Sequence, residues 1–260
     1  MVTYGFDPAW TGERDRMALA ETVLDPITVR QLESVGVSAG WRCLEVGAGA
    51  GSVARWLVAR AGPAGRVVAT DLDPRFLNAA DGYEVLVHDI VSDPPLAPEF
   101  DLSHARLVLQ HVADKDRAVA NLAAAVVPGG WIVVEELDFT SSGAVGSKGA
   151  RGFARVERAI HQFLASTGFD PGFGCRLPGR FRAAGLTDVE GRGGLSVVQG
   201  GSPYARWYAQ SIEALRPRLV AAGLVGEPEV ARACGLLTDP DFELVTPALI
   251  VARGRRPSPP

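Results

Sequence analysis

The feature that most restricts this chain is a glycine bend, Glu45-Val46-Gly47-Ala48-Gly49-Ala50-Gly51, set between a β-type run and a helix-type run. Glycine there permits positive φ and lets a ligand approach the backbone closely. The bend also aims the free N–H groups of a helix start at whatever binds. Twenty residues after Gly51 comes Asp71, at the end of the next β-type run. A carboxylate in that place can accept hydrogen bonds from both hydroxyls of a ribose. Together the bend and Asp71 imply an adenosine-containing cofactor lying across the carboxyl edge of a sheet, at its switch point.

The surrounding pattern supplies the sheet. A strand beginning near Trp41 ends at Leu44 and Val46, and Ser52 is placed to cap a helix through Ala61. Val53, Trp56, Leu57 and Ala61 fall on one face of that helix. Gly62-Pro63-Ala64-Gly65 is a break. Further strands are predicted at 67–70, 83–87, 100–109 and 131–135, with helices opening near Asp73-Pro74 and spanning 114–127. The stretch 92–99 holds Pro94, Pro95 and Pro98 and reads as loop. Strands separated by helices imply βαβ units and a parallel sheet with right-handed crossovers.

The second half differs. Residues 140–150 form a Gly/Ser-rich connector, followed by helices at about 153–167 and 177–184. Two β-type segments, 187–198 and 242–252, flank a helical pattern over 204–237, and the tail 254–260 is expected to fray. The organisation expected is an N-terminal helical lid segment (1–35), a cofactor-binding core (36–140), and a remainder of the sheet (141–260) with helices covering the acceptor.

Composition excludes several alternatives. At 260 residues, 47% hydrophobic and with a net charge of −4, the chain is globular, one large domain or a domain with an embellishment. No apolar run approaches the ~18 residues of a membrane span. Charged residues among the first sixteen argue against a secretory signal. Cys43, Cys175 and Cys234 are widely spaced and form no C-x-x-C pair, so neither a disulfide framework nor a metal site is expected and a reducing cytoplasm is the expected location. A mildly acidic chain without a basic block is not built for nucleic acid.

The cofactor is a closer question. Gly49-Ala50-Gly51-Ser52-Val53-Ala54 satisfies G-x-G-x-x-A, so an NAD(P)-dependent oxidoreductase stays open. Against it, Glu45 puts negative charge where a pyrophosphate would be repelled and a cation welcomed. Asp89, in Val87-His88-Asp89-Ile90, can meet an adenine amino group. The late β-hairpin with a helical insert is also not how two mononucleotide halves are built.

Residues 45–51 resemble motif I of the class I S-adenosylmethionine-dependent methyltransferases. Val68-Ala69-Thr70-Asp71-Leu72-Asp73 is similar to the segment that follows in that family, and His88-Asp89-Ile90 to its adenine-binding segment. Phe100-Asp101-Leu102 through Leu109-Gln110-His111-Val112 resembles the fourth-strand motif, and Val127-Pro128-Gly129-Gly130-Trp131 the turn before the fifth strand. The resemblance covers roughly residues 36–137. It implies an α/β, doubly wound, seven-stranded sheet, mostly parallel with the last strand antiparallel, and S-adenosylmethionine as cofactor. Glu45, Gly47, Ala48, Gly49 and Gly51 would flank its methionine part. Asp71 would hold the ribose, Leu72 the adenine, and Asp89 and Ile90 the adenine amine and face. Ala105 and Arg106 would pass the cofactor at the fourth-strand end, and Arg106 or Arg16 would pair its carboxylate.

His111, following the fourth strand at the cofactor edge, is the candidate general base. His88 reads as a strand-end hydrogen-bonding group, His104 as a core histidine, and His161 as a surface partner of Glu157 one helical turn away. Glu135, Glu136 and Asp138 cluster after the fifth strand, either contacting an acceptor or lying in a solvated loop. Tyr204, Trp207 and Tyr208 read as core within the insert. The function expected is methyl transfer to O, N or C of a small, partly hydrophobic molecule. The rivals are the oxidoreductase and a non-catalytic S-adenosylmethionine-binding protein.

Overall fold

Alternation of strand and helix in the first half builds one sheet. A computed structural model describes residues 10–145 and 149–258. Strands β1 (Arg42–Val46), β2 (Arg66–Asp71), β3 (Glu84–Val87), β4 (Phe100–Arg106) and β5 (Val126–Asp138) run parallel, in the order β3-β2-β1-β4-β5. The sheet continues through β10 (Ala248–Arg255) to β7 (Thr187–Gly194), and β10 is antiparallel to both its neighbours. Seven strands with the last one antiparallel is the expected α/β architecture.

Side-chain alternation sorts this sheet into two faces. On one face, Cys43, Val67, Ala69, Leu102 and Val133 pack under α1 (Glu13–Ser34) and α2 (Ser52–Ala61) through Leu32, Val53 and Leu57. On the other, Leu44, Val46, Val68, Ala105, Ile132 and Val134 pack under α3 (Lys115–Ala125) and α5 (Phe173–Ala183). A third apolar cluster lies beyond the strand ends, where α4 (Ala150–Ala165), α6 (Pro203–Ala221) and α7 (Glu227–Leu236) meet Leu24 of α1. In α4 the apolar residues Phe153, Val156, Ile160 and Leu164 recur at helical spacing and are all buried.

Several sequence expectations need correction. No α-helix opens at Asp73-Pro74: two 3-10 turns, Pro74–Phe76 and Ala79–Asp81, make the crossover, each started by a side chain (Asp73, Asn78) capping its own turn. Gly51, in the left-handed region at φ 83°, is the N-cap of α2, and Ser52 instead donates to Asp25 Oδ1 at 3.0 Å. The β-type segments 187–198 and 242–252 each split in two. Their outer parts, β8 (Val197–Gln199) and β9 (Glu243–Val245), join β6 (Gly143–Ala144) in a small antiparallel sheet. The tail does not fray at 254, since β10 runs to Arg255 and Gly129 N–H donates to Arg256 O at 2.8 Å. The part of the N-terminal lid segment before residue 10, part of the 140–150 connector, and residues 259–260 lie outside the described residues. No helix among the described residues is long and apolar enough to cross a membrane.

Candidate functional site

The carboxyl ends of β1, β2 and β4 open into a cavity of about 340 Å3 roofed by α1, α4 and α6. Its lining includes Arg16, Glu45, Gly47, Ala48, Gly49, Asp71, Leu72, Asp89, Ile90, Arg106 and His111, and so brings together most of the residues singled out in the sequence.

The bend is shaped by its glycines. Gly47 and Gly49 have φ of 65° and 57°. A Cβ on Gly47 would come within 2.3 Å of Val108 Cγ2, whereas one on Gly49 would meet only Met17 Sδ at 3.9 Å. Asp71 fastens the bend: Oδ2 accepts from Gly49 N–H at 2.9 Å and Oδ1 from Asp73 N–H at 3.0 Å. Burial raises its pKa above the usual aspartate value against the pull of those N–H donors. Leu72, beside it, is 63% exposed although apolar, and it lies on the cavity wall. Asp89 accepts from Val91 N–H at 2.8 Å and from the Ser92 hydroxyl. Burial would raise its pKa, but the Ser92 hydroxyl and the backbone donors outweigh burial and lower it.

Two of the expected residues do not reach the cavity. Gly51 sits behind the bend, where a Cβ would strike Tyr83 Oη at 2.6 Å. Ala105 belongs to the opposite face of the sheet, fully buried with Leu44 and Val46. Arg106, Leu107 and Val108, at and just past the end of β4, line the cavity instead. Leu107 takes φ 56°, turning the chain so that its N–H donates to Glu135 O at 2.8 Å.

The two arginines are already engaged. Arg106 donates to Asp25 Oδ1 at 2.8 Å and Thr28 Oγ1 at 2.9 Å, both on α1. Arg16 makes a two-pronged pair with Glu13, at 2.8 Å and 2.5 Å. Each still borders the cavity.

The candidate base, His111, borders the cavity. Burial, with the positive charges of Arg16 and Lys115, lowers the His111 pKa to about 3. The Gln110 amide nitrogen lies 3.2 Å from His111 Nε2, and the ring stands 5.2 Å from that of Phe169. His111 therefore stands as a neutral imidazole on the cavity wall near neutrality.

Glu135, Glu136 and Asp138 are not in a loop, nor do they line the cavity: all three are buried within β5. Glu136 Oε1 accepts from the N–H groups of Val108 (3.1 Å) and Leu109 (2.6 Å), holding the turn that follows β4. Burial dominates its titration and raises the pKa to about 8. Asp138 caps Thr140 and accepts from Cys175 N–H at 3.0 Å. His88 is the strand-end group expected, its Nε2 lying 3.1 Å from Pro94 O. The expected surface pair of His161 with Glu157 does not form. Glu157 is buried and accepts from Tyr208 Oη at 3.0 Å, while His161 borders the cavity edge-on to Phe139 at 5.0 Å. Burial lowers the His161 pKa.

Sequence reasoning missed the far wall. Leu24, Leu137, Phe139, Ile160, Leu164, Phe169, Ile212 and Leu215 make it apolar, and Tyr204, Trp207 and Tyr208 both fill the core and face the cavity. These come from α1, β5 and the turn after it, α4 and the loop after it, and α6, and no local motif marks them. No residue of α7 lines the cavity, so within 204–237 it is α6 that forms the wall.

A doubly wound sheet in the order β3-β2-β1-β4-β5-β10-β7, with a glycine bend after β1 and an acid ending β2, is the fold shared with solved methyltransferase structures. Residues 44–132 match the family model described as Methyltransferase domain. The chain is 29% identical over 152 residues to Methyltransferase str2 of Strobilurus tenacellus, covering 56% of this chain and 54% of that protein. It is 30% identical over 113 residues to the ubiquinone/menaquinone biosynthesis C-methyltransferase UbiE of Cupriavidus necator, covering 40% and 46%. The chain thus spans about half the length of the curated relatives it matches. Among solved structures, a putative methyltransferase from Bacillus halodurans superposes with a TM-score of 0.57 at 16% identity, over 88% of this chain and 98% of that one. Haemonchus contortus phosphoethanolamine N-methyltransferase 2, bound to phosphomonomethylethanolamine and S-adenosylhomocysteine, gives 0.52 at 15% identity, over 94% and 53%. These likenesses are of fold.

Proposed function

We propose that this protein binds S-adenosylmethionine in the polar half of the cavity and transfers its methyl group to a small, partly hydrophobic molecule in the apolar half. The observation that carries this reading is one continuous cavity, running from the glycine bend and Asp71 to the aromatic wall of α4 and α6. The residues fit such a cofactor. Gly47 makes room for Val108 on the cavity wall, Gly49 leaves the backbone open to approach, Asp71 is placed for a ribose, and exposed Leu72 offers an apolar face that an adenine would cover. Glu45, Asp71 and Asp89 give this end a negative lining suited to a sulfonium and unsuited to a pyrophosphate.

When bound, the cofactor supplies an already activated methyl group, so the protein's part is alignment. Gly47 to Ala50 and Asp71 fix one reactant, and Tyr204, Trp207 and Tyr208 confine the other. Holding nucleophile and methyl in line at about 3 Å supplies roughly 7–11 kcal/mol of barrier lowering. Helices α1, α4 and α6 exclude water from that alignment. Arg106 and Arg16 steady the amino-acid end while keeping their own acid partners.

Transfer of radiolabelled methyl from S-adenosylmethionine to a panel of uncharged aromatic and aliphatic hydroxyl, amine and enol compounds tests the reading. Label in an organic-extractable product is expected. Cofactor binding without transfer to any acceptor class would favour a non-catalytic role, and oxidation of NADH by the same protein would overturn the reading.

A further inference from the structure

Beneath the glycine bend runs a buried chain of charged groups on the sheet face covered by α1. Glu45 of β1 and His104 of β4 are register partners on neighbouring strands. His104 Nδ1 lies 2.6 Å from Glu45 Oε2, and His104 Nε2 lies 3.8 Å from Glu135 Oε1 on β5. All three side chains are essentially sealed from solvent, at 0–3% exposure, yet Glu45 borders the cavity. The other oxygen of Glu135 accepts from Thr28 Oγ1 at 2.7 Å. Three ionisable groups in a nearly solvent-free layer are costly unless they compensate one another.

We propose that His104 is a positioning residue for the cationic end of the site: its imidazole locks the Glu45 carboxylate at the cavity edge, with Glu135 facing the ring from behind at 3.8 Å. This rests on reading the site as one for a sulfonium cofactor. A buried carboxylate without a partner takes up a proton and loses its charge. A charged Glu45 distinguishes a sulfonium from the neutral thioether left after transfer, and an uncharged one does not.

The titratable and charged groups near His104 come from every neighbouring element: Glu45 and Cys43 on β1, Glu135 on β5, Arg106 on β4, and Asp25 on α1, reached through Thr28 and Arg106. Burial works against the imidazolium, but Glu45, with Glu135, outweighs it and pushes the His104 pKa up to about 9. Cys43 stays a neutral thiol, because burial, then Asp101 and Glu45, push it up to about 12.

The test is calorimetric affinity of the full chain and of His104→Asn for S-adenosylmethionine and S-adenosylhomocysteine, at about pH 6, 7 and 8. For the natural protein the ratio of the two affinities should stay flat across that range. In His104→Asn the preference for S-adenosylmethionine should drop about tenfold, with S-adenosylhomocysteine affected little. A folded variant whose ratio matches the natural protein at every pH overturns the proposal. Should the variant fail to fold, the histidine side-chain NMR of the natural protein decides: an imidazolium signal for His104 at about pH 7 supports the clamp, and a neutral ring there refutes it. Failure of the natural protein to bind either compound would instead defeat the cofactor reading, and the same spectrum would still decide whether His104 is held as described.

Discussion

The two halves of the cavity are built by different means. The cofactor half is mostly backbone: glycines at positive φ, N–H groups turned inward, and acids spaced along strand ends. The acceptor half is mostly side chains from helices far apart in sequence, set on an apolar core of their own. Backbone geometry tolerates little change, because a misplaced turn has no alternative rotamer. An apolar wall tolerates volume-conserving exchange, and so its composition can vary while the fold persists. The matched stretch, 44–132, holds the bend, Asp71 and Asp89, and stops short of the helices α4 and α6.

The comparison can be stressed first through protons. His104 and Glu136, both in buried positions at the cofactor side, have folded pKa values above their unfolded ones, at about 9 and about 8. Their stabilisation is present at lower pH and is lost as pH rises through those values. His111 acts in the opposite sense: its folded value of about 3 lies below the unfolded one, so its contribution is lost as pH falls. Urea unfolding should therefore show a stability that declines by roughly 5 kcal/mol between about pH 6.5 and about pH 9. A flat profile over that window would mean that the sheet-face ion chain is not charged as described.

Next come the glycines. Gly47→Ala must place a Cβ 2.3 Å from Val108 Cγ2 at φ 65°, and should cost about 2–3 kcal/mol of stability and most cofactor affinity. Gly49→Ala meets only Met17 Sδ at 3.9 Å and should cost about 1 kcal/mol, the conformational part alone. Equal losses at the two positions would break the distinction drawn between a close approach and a turn. Asp71→Ala should then weaken S-adenosylmethionine by about 2 kcal/mol in a folded protein, measured by calorimetry, because it removes a charged acceptor and releases the Gly49 N–H.

The smallest effects on the cofactor belong to the far wall. Trp207→Phe should leave cofactor affinity within about 0.5 kcal/mol of the natural value while raising the acceptor KM several-fold. A large change in cofactor affinity from Trp207→Phe would show that the two halves are not separable.

Legibility in the sequence follows the same division. The bend, Asp71 and Asp89 could be read because each sits a short, fixed distance from a strand end. Of Ala105 and Arg106, both expected at the fourth-strand end, only Arg106 borders the cavity, and Ala105 is buried one residue short of it. The clamp of His104 by Glu45 and Glu135 needs the pairing register of three strands, which no local pattern carries. Glu135 and Glu136 pointed to the acceptor only because β5 was expected to end at 135; three further residues of strand bury both, on opposite faces. The crossover after β2 lost its expected helix to Asx-capped 3-10 turns, a choice made by Asp73 and Asn78 side chains. The acceptor wall is a product of tertiary packing, and its aromatic residues look like any other core until the cavity is seen.

The most direct test of the central claim is calorimetric titration of the full chain with S-adenosylmethionine, S-adenosylhomocysteine and NADH under one set of conditions. Saturable binding of the first two, with none of the third, is the result expected of a bend lined by Glu45, Asp71 and Asp89. Binding of NADH with indifference to both sulfur compounds would contradict the account at its foundation.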